Sequence, residues 1–444
     1  MAGHKGESPR LGRTVGLRRR PVQARRLDPR VEDVFMPIGP PFRSTNAPRR
    51  RRIGLLSTYP PELCGLATFA AALERALRDG GNEVDIVRIN DRANGPALAR
   101  PVAAELVNGH PSSRRRAVSA LSRCDVAIVQ HEYGIYGGPD GDEVLEVLDA
   151  LRIPTIVVLH TVPHEPTVNQ RVVLTAVTEL ADKVVVMSET ARHRLFATYP
   201  IDRSKVIVIA HGASVPVLHA CDEVDGSQPP RRQQLLTWGL LGPGKGIEHA
   251  IDAVALLEGH RATTRYTIAG VTHPKVLASQ GDGYRRSLIE RTERYGLSDV
   301  VGFDDTYRDV AQLTRFVASA SLVVLPYDSR EQVTSGVLVD AIAAGRPVIA
   351  TAFPHAVELL STGAGIIVPH ADPAALANAI QGVLDDPSRL AAMAAAASGL
   401  APSLSWPAVA DRYVEVADEL LAEDALSGQR LANLVAANNA SMAI

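Results

Sequence analysis

Short apolar runs recur along this chain, separated by stretches of helical periodicity, and that alternation limits its fold more than any other feature. Ile53-Gly54-Leu55-Leu56-Ser57-Thr58 ends in turn chemistry and reads as a buried strand. A helix follows, with Phe69, Ala72, Leu73, Ala76 and Leu77 on one face and Gly80-Gly81 as its stop. Residues 82–89 read as a second strand, and apolar runs at 126–129, 155–159, 184–187 and 206–210 continue the series between helical patterns. Acidic and Pro-Pro-Arg-Arg chemistry over 218–232 interrupts it as a linker, and then it restarts. Strands are expected at 234–238, 266–269, 321–325, 348–351 and 365–368, with a helix over 247–257. Alanine-rich helices follow Pro373 and Trp406. Strands alternating with helices make an α/β chain of parallel, doubly wound sheets. A length of 444 residues exceeds one core and fits two of them.

The totals narrow the class. A chain 46% hydrophobic and 22% charged is globular in composition, and no apolar run reaches the roughly 18 residues that span a bilayer. No apolar segment follows the Arg-rich start, which argues against a secretory signal. Cys64, Cys124 and Cys221 are scattered and odd in number. They form neither a disulfide framework nor a zinc site and suit a reducing compartment. The expected location is the cytoplasm.

The net charge of −2 hides an asymmetry, because residues 1–52 hold 14 Lys+Arg against 4 Asp+Glu. Rich in proline and without apolar period, this segment is expected to be a disordered basic arm over 1–51. It reads as a solvated tail or as a peripheral contact with an anionic, inner membrane face. No nucleic-acid partner is expected, because no stacking aromatics are interleaved with the arginines. The remaining expected parts are an N-terminal domain over 52–217, a linker over 218–232, a C-terminal domain over 233–405 and a helical tail over 406–444.

Three segments carry chemistry. Residues 332–349 read as a loop, a helix opening on Thr334-Ser335-Gly336, a glycine stop at Gly345 and a buried strand. The first N–H groups of such a helix point at whatever sits above it and favour an anion such as phosphate. Gln332 and Asp340 flank the turn and suit hydroxyl groups on either side of that anion. The second segment, Gly239-Leu240-Leu241-Gly242-Pro243-Gly244-Lys245-Gly246, lies between a strand and a helix and nearly matches a P-loop. Gly246, however, stands where a magnesium-binding hydroxyl is required. Lys245 is one of five lysines beside 42 arginines, and a compact ammonium suits a pyrophosphate. In the third, Gly65 precedes the first helix and permits close approach of a ligand to the backbone. His160 and His131-Glu132 end apolar strands, where ligands of such sheets bind. No HExxH, DxD or Cys/His cluster calls for a metal, and no GxSxG for a serine hydrolase.

Taken together, from about Ile53 to Leu421, these positions resemble the retaining glycosyltransferases of GT-B fold, family 4 (glycosyl transferases group 1). The likeness is strongest in the C-terminal half. There the lysine loop, Leu-Pro-Tyr, an E-x7-E-like element and Ala-x-Ala-Ala-Gly-x-Pro-Val stand in the family's order. The resemblance implies two Rossmann-like domains facing a central cleft, with C-terminal helices crossing back. It implies a nucleotide-sugar donor on the C-terminal domain and a glycan or lipid-linked acceptor on the N-terminal one. By the same resemblance Lys245 neutralises the diphosphate, and Thr334, Ser335 and Gly336 offer N–H groups to phosphate and sugar. Asp340 accepts from the ribose, Gln332 contacts the donor sugar, Gly65 lies under the diphosphate, and His160 touches the sugar near the reacting carbon. Leu240 replaces the family's arginine, with Arg330 as a substitute charge. Gln332 replaces the first acidic group, unless Glu331 shifts into register, and Asp340 is one methylene short of the second. A glutamine cannot be a carboxylate nucleophile, so the resemblance implies front-face, metal-free transfer of a hexose with retention and without a cofactor. An epimerase or phosphorylase of the same fold, or a weakly catalytic nucleotide-sugar-binding protein, fits the same residues.

Overall fold

The computed structural model describes residues 50–62, 64–91, 99–215, 232–257, 259–306 and 308–441, with side chains to 427. Nearly all of the expected basic arm, and the linker except Arg232, lie outside them. Thirteen strands are present in this set. Arg52–Ser57 (β1), Glu83–Asn90 (β2), Val102–Val107 (β3), Val126–His131 (β4), Thr155–Leu159 (β5), Lys183–Val186 (β6) and Val206–Val208 (β7) build the first sheet. Gln233–Trp238 (β8), Thr264–Ala269 (β9), Val301–Asp304 (β10), Leu322–Leu325 (β11), Val348–Thr351 (β12) and Gly365–Val368 (β13) build the second. The first runs β3-β2-β1-β4-β5-β6-β7 and the second β10-β9-β8-β11-β12-β13, with parallel pairing in every ladder. Each sheet reverses its winding beside its first strand, which opens a crevice at the strands' carboxyl ends.

The helices are Gly65–Asp79 (α1), Pro111–Leu121 (α2), Glu143–Ala150 (α3), Val168–Leu180 (α4), Glu189–Thr198 (α5), Ile247–Ala255 (α6), Pro274–Gln280 (α7), Gly283–Arg294 (α8), Val310–Ala318 (α9), Gly336–Ala343 (α10), Pro354–Leu360 (α11), Pro373–Leu384 (α12), Pro387–Leu400 (α13) and Trp406–Ser441 (α14). Because crossover helices cover both faces, the central strands bury nearly every residue; β4, β5, β11 and β12 have no exposed position. That is why they stand out in the sequence as unbroken apolar runs. The edge strands β3 and β10 do not. Val102–Val107 alternates buried with less buried residues, and Val301–Asp304 is only partly buried.

Four apolar layers sandwich the two sheets. The last helix returns to the first domain. Trp406, Val409, Ala410, Tyr413, Val416, Ala417 and Leu420 join Phe69, Leu73 and Leu77 of α1 over that sheet's face. The two passages of chain between the sheets are bound to each other, since Ala213 bridges Ser405 and its N–H donates to the Leu404 carbonyl at 2.7 Å. Gly212 lies flat on the Trp406 indole, where any Cβ would overlap the ring.

Candidate active site

The lysine loop is shaped by glycines that nothing else can replace. Gly239, Gly244 and Gly246 have φ of 125°, 86° and 60°. A Cβ on Gly246 would overlap the Pro326 carbonyl oxygen. The hydroxyl side chain of a P-loop therefore cannot stand there, and the near-match is accounted for by packing. The Lys245 ammonium sits 4.3 Å from the centroid of the Tyr327 ring. Burial lowers its pKa, so an anion beside it would recover part of the lost hydration.

Tyr327 links this loop to α10, because Ser335 sits near enough to its hydroxyl to oppose the rise in pKa that burial causes. Ser335 is the N-cap of that helix, its Oγ accepting from Leu338 N at 3.3 Å, while its own N–H donates to His355 Nδ1 at 2.9 Å. Val337, in the first turn, lies 3.5 Å from where a Cβ would stand on Gly239. The Thr334 hydroxyl is buried beside these groups with no hydrogen-bond partner. Lysine loop and helix opening thus form one wall.

The facing wall comes from the first sheet. His160 follows β5, and its Nε2–H donates to Gln130 Oε1 at 2.6 Å, which leaves Nδ1 as an acceptor. His211, which the sequence reading did not single out, lies within 3.2 Å of a Cβ position on Gly336. Its Nδ1 meets the Gly212 carbonyl at 2.8 Å, so Nδ1 carries the proton and Nε2 is an acceptor. Phe69 holds both rings edge-on, 4.9 Å from His160 and 5.0 Å from His211, with Trp406 at 5.0 Å behind. Burial pulls His160 down to about 3 and His211 to about 4, so both are neutral near pH 7. No sequence signal marks His211; it arrives through the crossover.

Other expected site residues are placed differently. Asp340 is 8% exposed, and its Oδ1 accepts from Ser214 N at 2.6 Å and Val215 N at 3.2 Å. It clamps the crossover that carries His211, so a ribose contact would have to use the other oxygen. Burial pushes it up to about 7 against those two bonds. Glu331 is drawn to the other domain, where it accepts from Arg194 Nη1 at 2.8 Å and His164 N at 3.1 Å. The neighbouring Gln332 accepts at its carbonyl from His355 N at 3.3 Å. Arg330 is exposed in the same loop, and Gly65 is exposed as the first residue of α1, with nothing within 4 Å of a Cβ built on it. Three further contacts join the domains here. Val333 packs into the first domain's core, Ser188 Oγ donates to its carbonyl at 2.8 Å, and Glu358 of α11 caps α5 from Glu189 N and Thr190 N, both at 2.8 Å. Among the described residues one trio could offer three metal-ligating atoms within 4.8 Å, namely Glu248, His249 and Asp328 at the start of α6.

Two parallel Rossmann-like sheets with facing carboxyl ends and a final helix crossing back define the GT-B architecture. Sucrose-phosphate synthase of Thermosynechococcus elongatus shares it with a TM-score of 0.67 and 20% identity, over 84% of this chain and all of that one. Anabaena HepE, solved with UDP, shares it with a TM-score of 0.66 and 18% identity, over 83% and 100%. The model of glycosyltransferase family 4 matches residues 64–215, and that of glycosyl transferases group 1 matches residues 232–386. The chain belongs to the group 1 glycosyltransferases of GT-B fold. Among curated relatives, D-inositol 3-phosphate glycosyltransferase of Thermobispora bispora is 27% identical over 260 residues, 55% of this chain and 58% of that protein. The Streptomyces avermitilis protein of the same name is 27% identical over 244 residues, 53% and 51%. The chain thus matches a little over half the length of these relatives. Among the described residues no helix is long and apolar enough to cross a membrane.

Proposed function

We propose that this protein transfers a hexose from a nucleotide-sugar to an acceptor hydroxyl, with retention and without a metal. One observation carries the reading. An unbroken series of contacts runs from Lys245 through Tyr327, Ser335 and Gly336 to His211, Phe69 and His160. It places a half-buried cation and a helix N-terminus opposite two neutral imidazoles that present acceptor nitrogens. Charge building on a departing diphosphate would be met by Lys245 and the first N–H groups of α10. The neutral histidines and Gln332 would hold sugar hydroxyls, so catalysis consists of positioning and of stabilising the leaving group. Gln332 has no carboxylate to attack the sugar, which supports the front-face route, with the diphosphate taking the acceptor's proton. The neighbour solved with UDP and the relatives named for D-inositol 3-phosphate support a nucleotide-sugar donor and offer one candidate acceptor. The donor's base and sugar, GDP-mannose or UDP-glucose type, are to be found by assay.

The test is release of nucleoside diphosphate from GDP-mannose, UDP-glucose, UDP-galactose and UDP-N-acetylglucosamine in EDTA, with Lys245→Ala as control. Slow release from one donor, lost in the variant, supports metal-free transfer. Release that depends on an added divalent ion would move the reading to a metal-assisted one and point to Glu248, His249 and Asp328. Binding without release, even with acceptors added, would mark a nucleotide-sugar-binding protein.

A further inference from the structure

The first sheet carries a second concave feature that the donor reading leaves unused. A cavity of about 730 Å³ runs between β3 and α2. β3 ends that sheet, with β2 and β1 between it and β4, so the groove lies away from the histidines that follow β4 and β5.

The helical wall is basic and held in place. Ser113, Ala117, Ala120 and Leu121 of α2 are buried against the sheet. Arg114 ties the helix to α3, donating to Glu143 Oε1 at 2.8 Å and pairing with Glu146 at 2.6 Å. Its neighbours Arg115 and Arg116 line the cavity instead, as does Arg123 just past the helix. All three are exposed, and among the described residues none of them has a hydrogen bond or an ion pair. Seven positions of helical rise set Arg116 and Arg123 roughly 10 Å apart along the groove. The one carboxylate on the lining, Glu105, is already taken by Arg88 of β2, whose Nε donates to it at 3.0 Å.

The other wall is an open strand edge. Asn108 N donates to Asn90 O of β2 at 3.0 Å, so Val107 turns its own N–H and carbonyl away from β2. There Val107 N donates to the Ser113 hydroxyl at 2.9 Å, and that oxygen lies 3.0 Å from the Val107 carbonyl. Ser113 thus stands where a next strand would begin. Two residues back, Glu105 faces the same way, and no further strand pairs with β3.

We propose that this groove docks an extended acidic segment of a partner protein, which adds to the β3 edge and sets its carboxylates against Arg115, Arg116 and Arg123. Backbone pairing at Glu105 gives register, and the arginines select the charge. A lipid surface fits less well, because neither β3 nor α2 has an exposed large apolar residue to insert. Nucleic acid fits less well too, because no Phe, Tyr or Trp lines the groove for stacking. The inference stands apart from the glycosyl-transfer reading, and its test does not depend on turnover.

The full chain is titrated with a labelled peptide alternating glutamate and threonine, read by fluorescence anisotropy. Saturable binding is expected, with a dissociation constant on the order of 10–100 μM for so short an edge. Joint replacement Arg115→Gln, Arg116→Gln and Arg123→Gln should weaken it about tenfold or more, while donor turnover stays at the parent level. Two further peptides carry N-methyl groups on every glutamate or on every threonine. One of them should lose binding and the other keep it, because only alternate amides of an added strand face β3. Equal binding by both N-methylated peptides would leave charge attraction alone and overturn strand addition. The inference also fails if the triple variant binds the peptide as the parent does, or if a lysine–threonine peptide binds equally. Phosphatidylserine vesicles that bind the parent but not the variant, with no peptide binding, would assign the arginines to a membrane instead. Lower donor turnover in the triple variant would place them in the reaction cleft and overturn the separate site.

Discussion

His131 is fully buried at the end of β4, its ring against Tyr133, and neither ring nitrogen has a hydrogen-bond partner. Burial lowers its pKa from 6.5 to about 4. The native state therefore refuses a proton that the unfolded chain accepts. The contribution to stability is fully present above pH 6.5 and is lost as the pH falls through 6.5 toward 4. In that window the unfolded state binds one more proton, so stability rises with pH by about 1.4 kcal/mol per unit, or on the order of 3 kcal/mol across the window. His131→Leu removes this term and also removes two unpaired buried nitrogens, whose desolvation costs on the order of 1–3 kcal/mol. At pH 8 the variant is expected to be as stable as the parent or slightly more so. Below pH 6.5 its advantage should widen by about 1.4 kcal/mol per unit. Urea unfolding of both proteins at pH 8.0, 6.5, 5.5 and 4.5 measures this, and groups unchanged between the two cancel in the difference. A gap that stays constant with pH would refute the buried neutral imidazole. A loss of more than about 2 kcal/mol at pH 8 would show that the ring holds a partner.

Gly246→Ala forces a Cβ into the Pro326 carbonyl at a positive φ and should cost about 3 kcal/mol or more, read as a fall in thermal midpoint together with loss of nucleotide binding. Glu358→Gln keeps the shape of the cap on α5 but removes its charge. Hydrogen exchange of the Glu189 and Thr190 amides should quicken by about tenfold, while the Arg194–Glu331 ion pair keeps the domains attached. His211→Phe fills the space beside Gly336 without an acceptor nitrogen. It should lower kcat by about a hundredfold and leave the affinity for nucleoside diphosphate within about twofold, measured by turnover and by calorimetry.

How much of this could be read from the chain depends on which interactions are local. β4, β5, β11 and β12 are apolar at nearly every position because helices cover both faces, so their sequence signal survives without any neighbour. β3 and β10 escaped because neither holds an unbroken apolar run; Glu105 interrupts β3 and forms a largely buried ion pair with Arg88 of β2. The lysine loop and the α10 opening were legible for the same reason, since each writes its geometry in consecutive residues, glycines for positive φ and Ser335 for the cap. The opposite wall was half-legible. His160 follows a recognisable strand, but His211 becomes part of the site only through a chain crossing between domains.

That crossing also explains why a reading of Asp340 from its motif position alone was incomplete. Its carboxylate holds Ser214 and Val215; those two bonds fix the segment that carries His211, and His211 touches the helix that carries Asp340. The contact closes on itself across a sequence separation of 125 to 126 positions, a distance over which no local periodicity carries information. A shorter side chain than the family's glutamate suits this arrangement, because an aspartate kept 8% exposed inside α10 can reach a backbone packed directly against the helix. The aspartate thus ties α10 to the crossover, and protonation near pH 7 would weaken that tie by removing a charge from both of its hydrogen bonds.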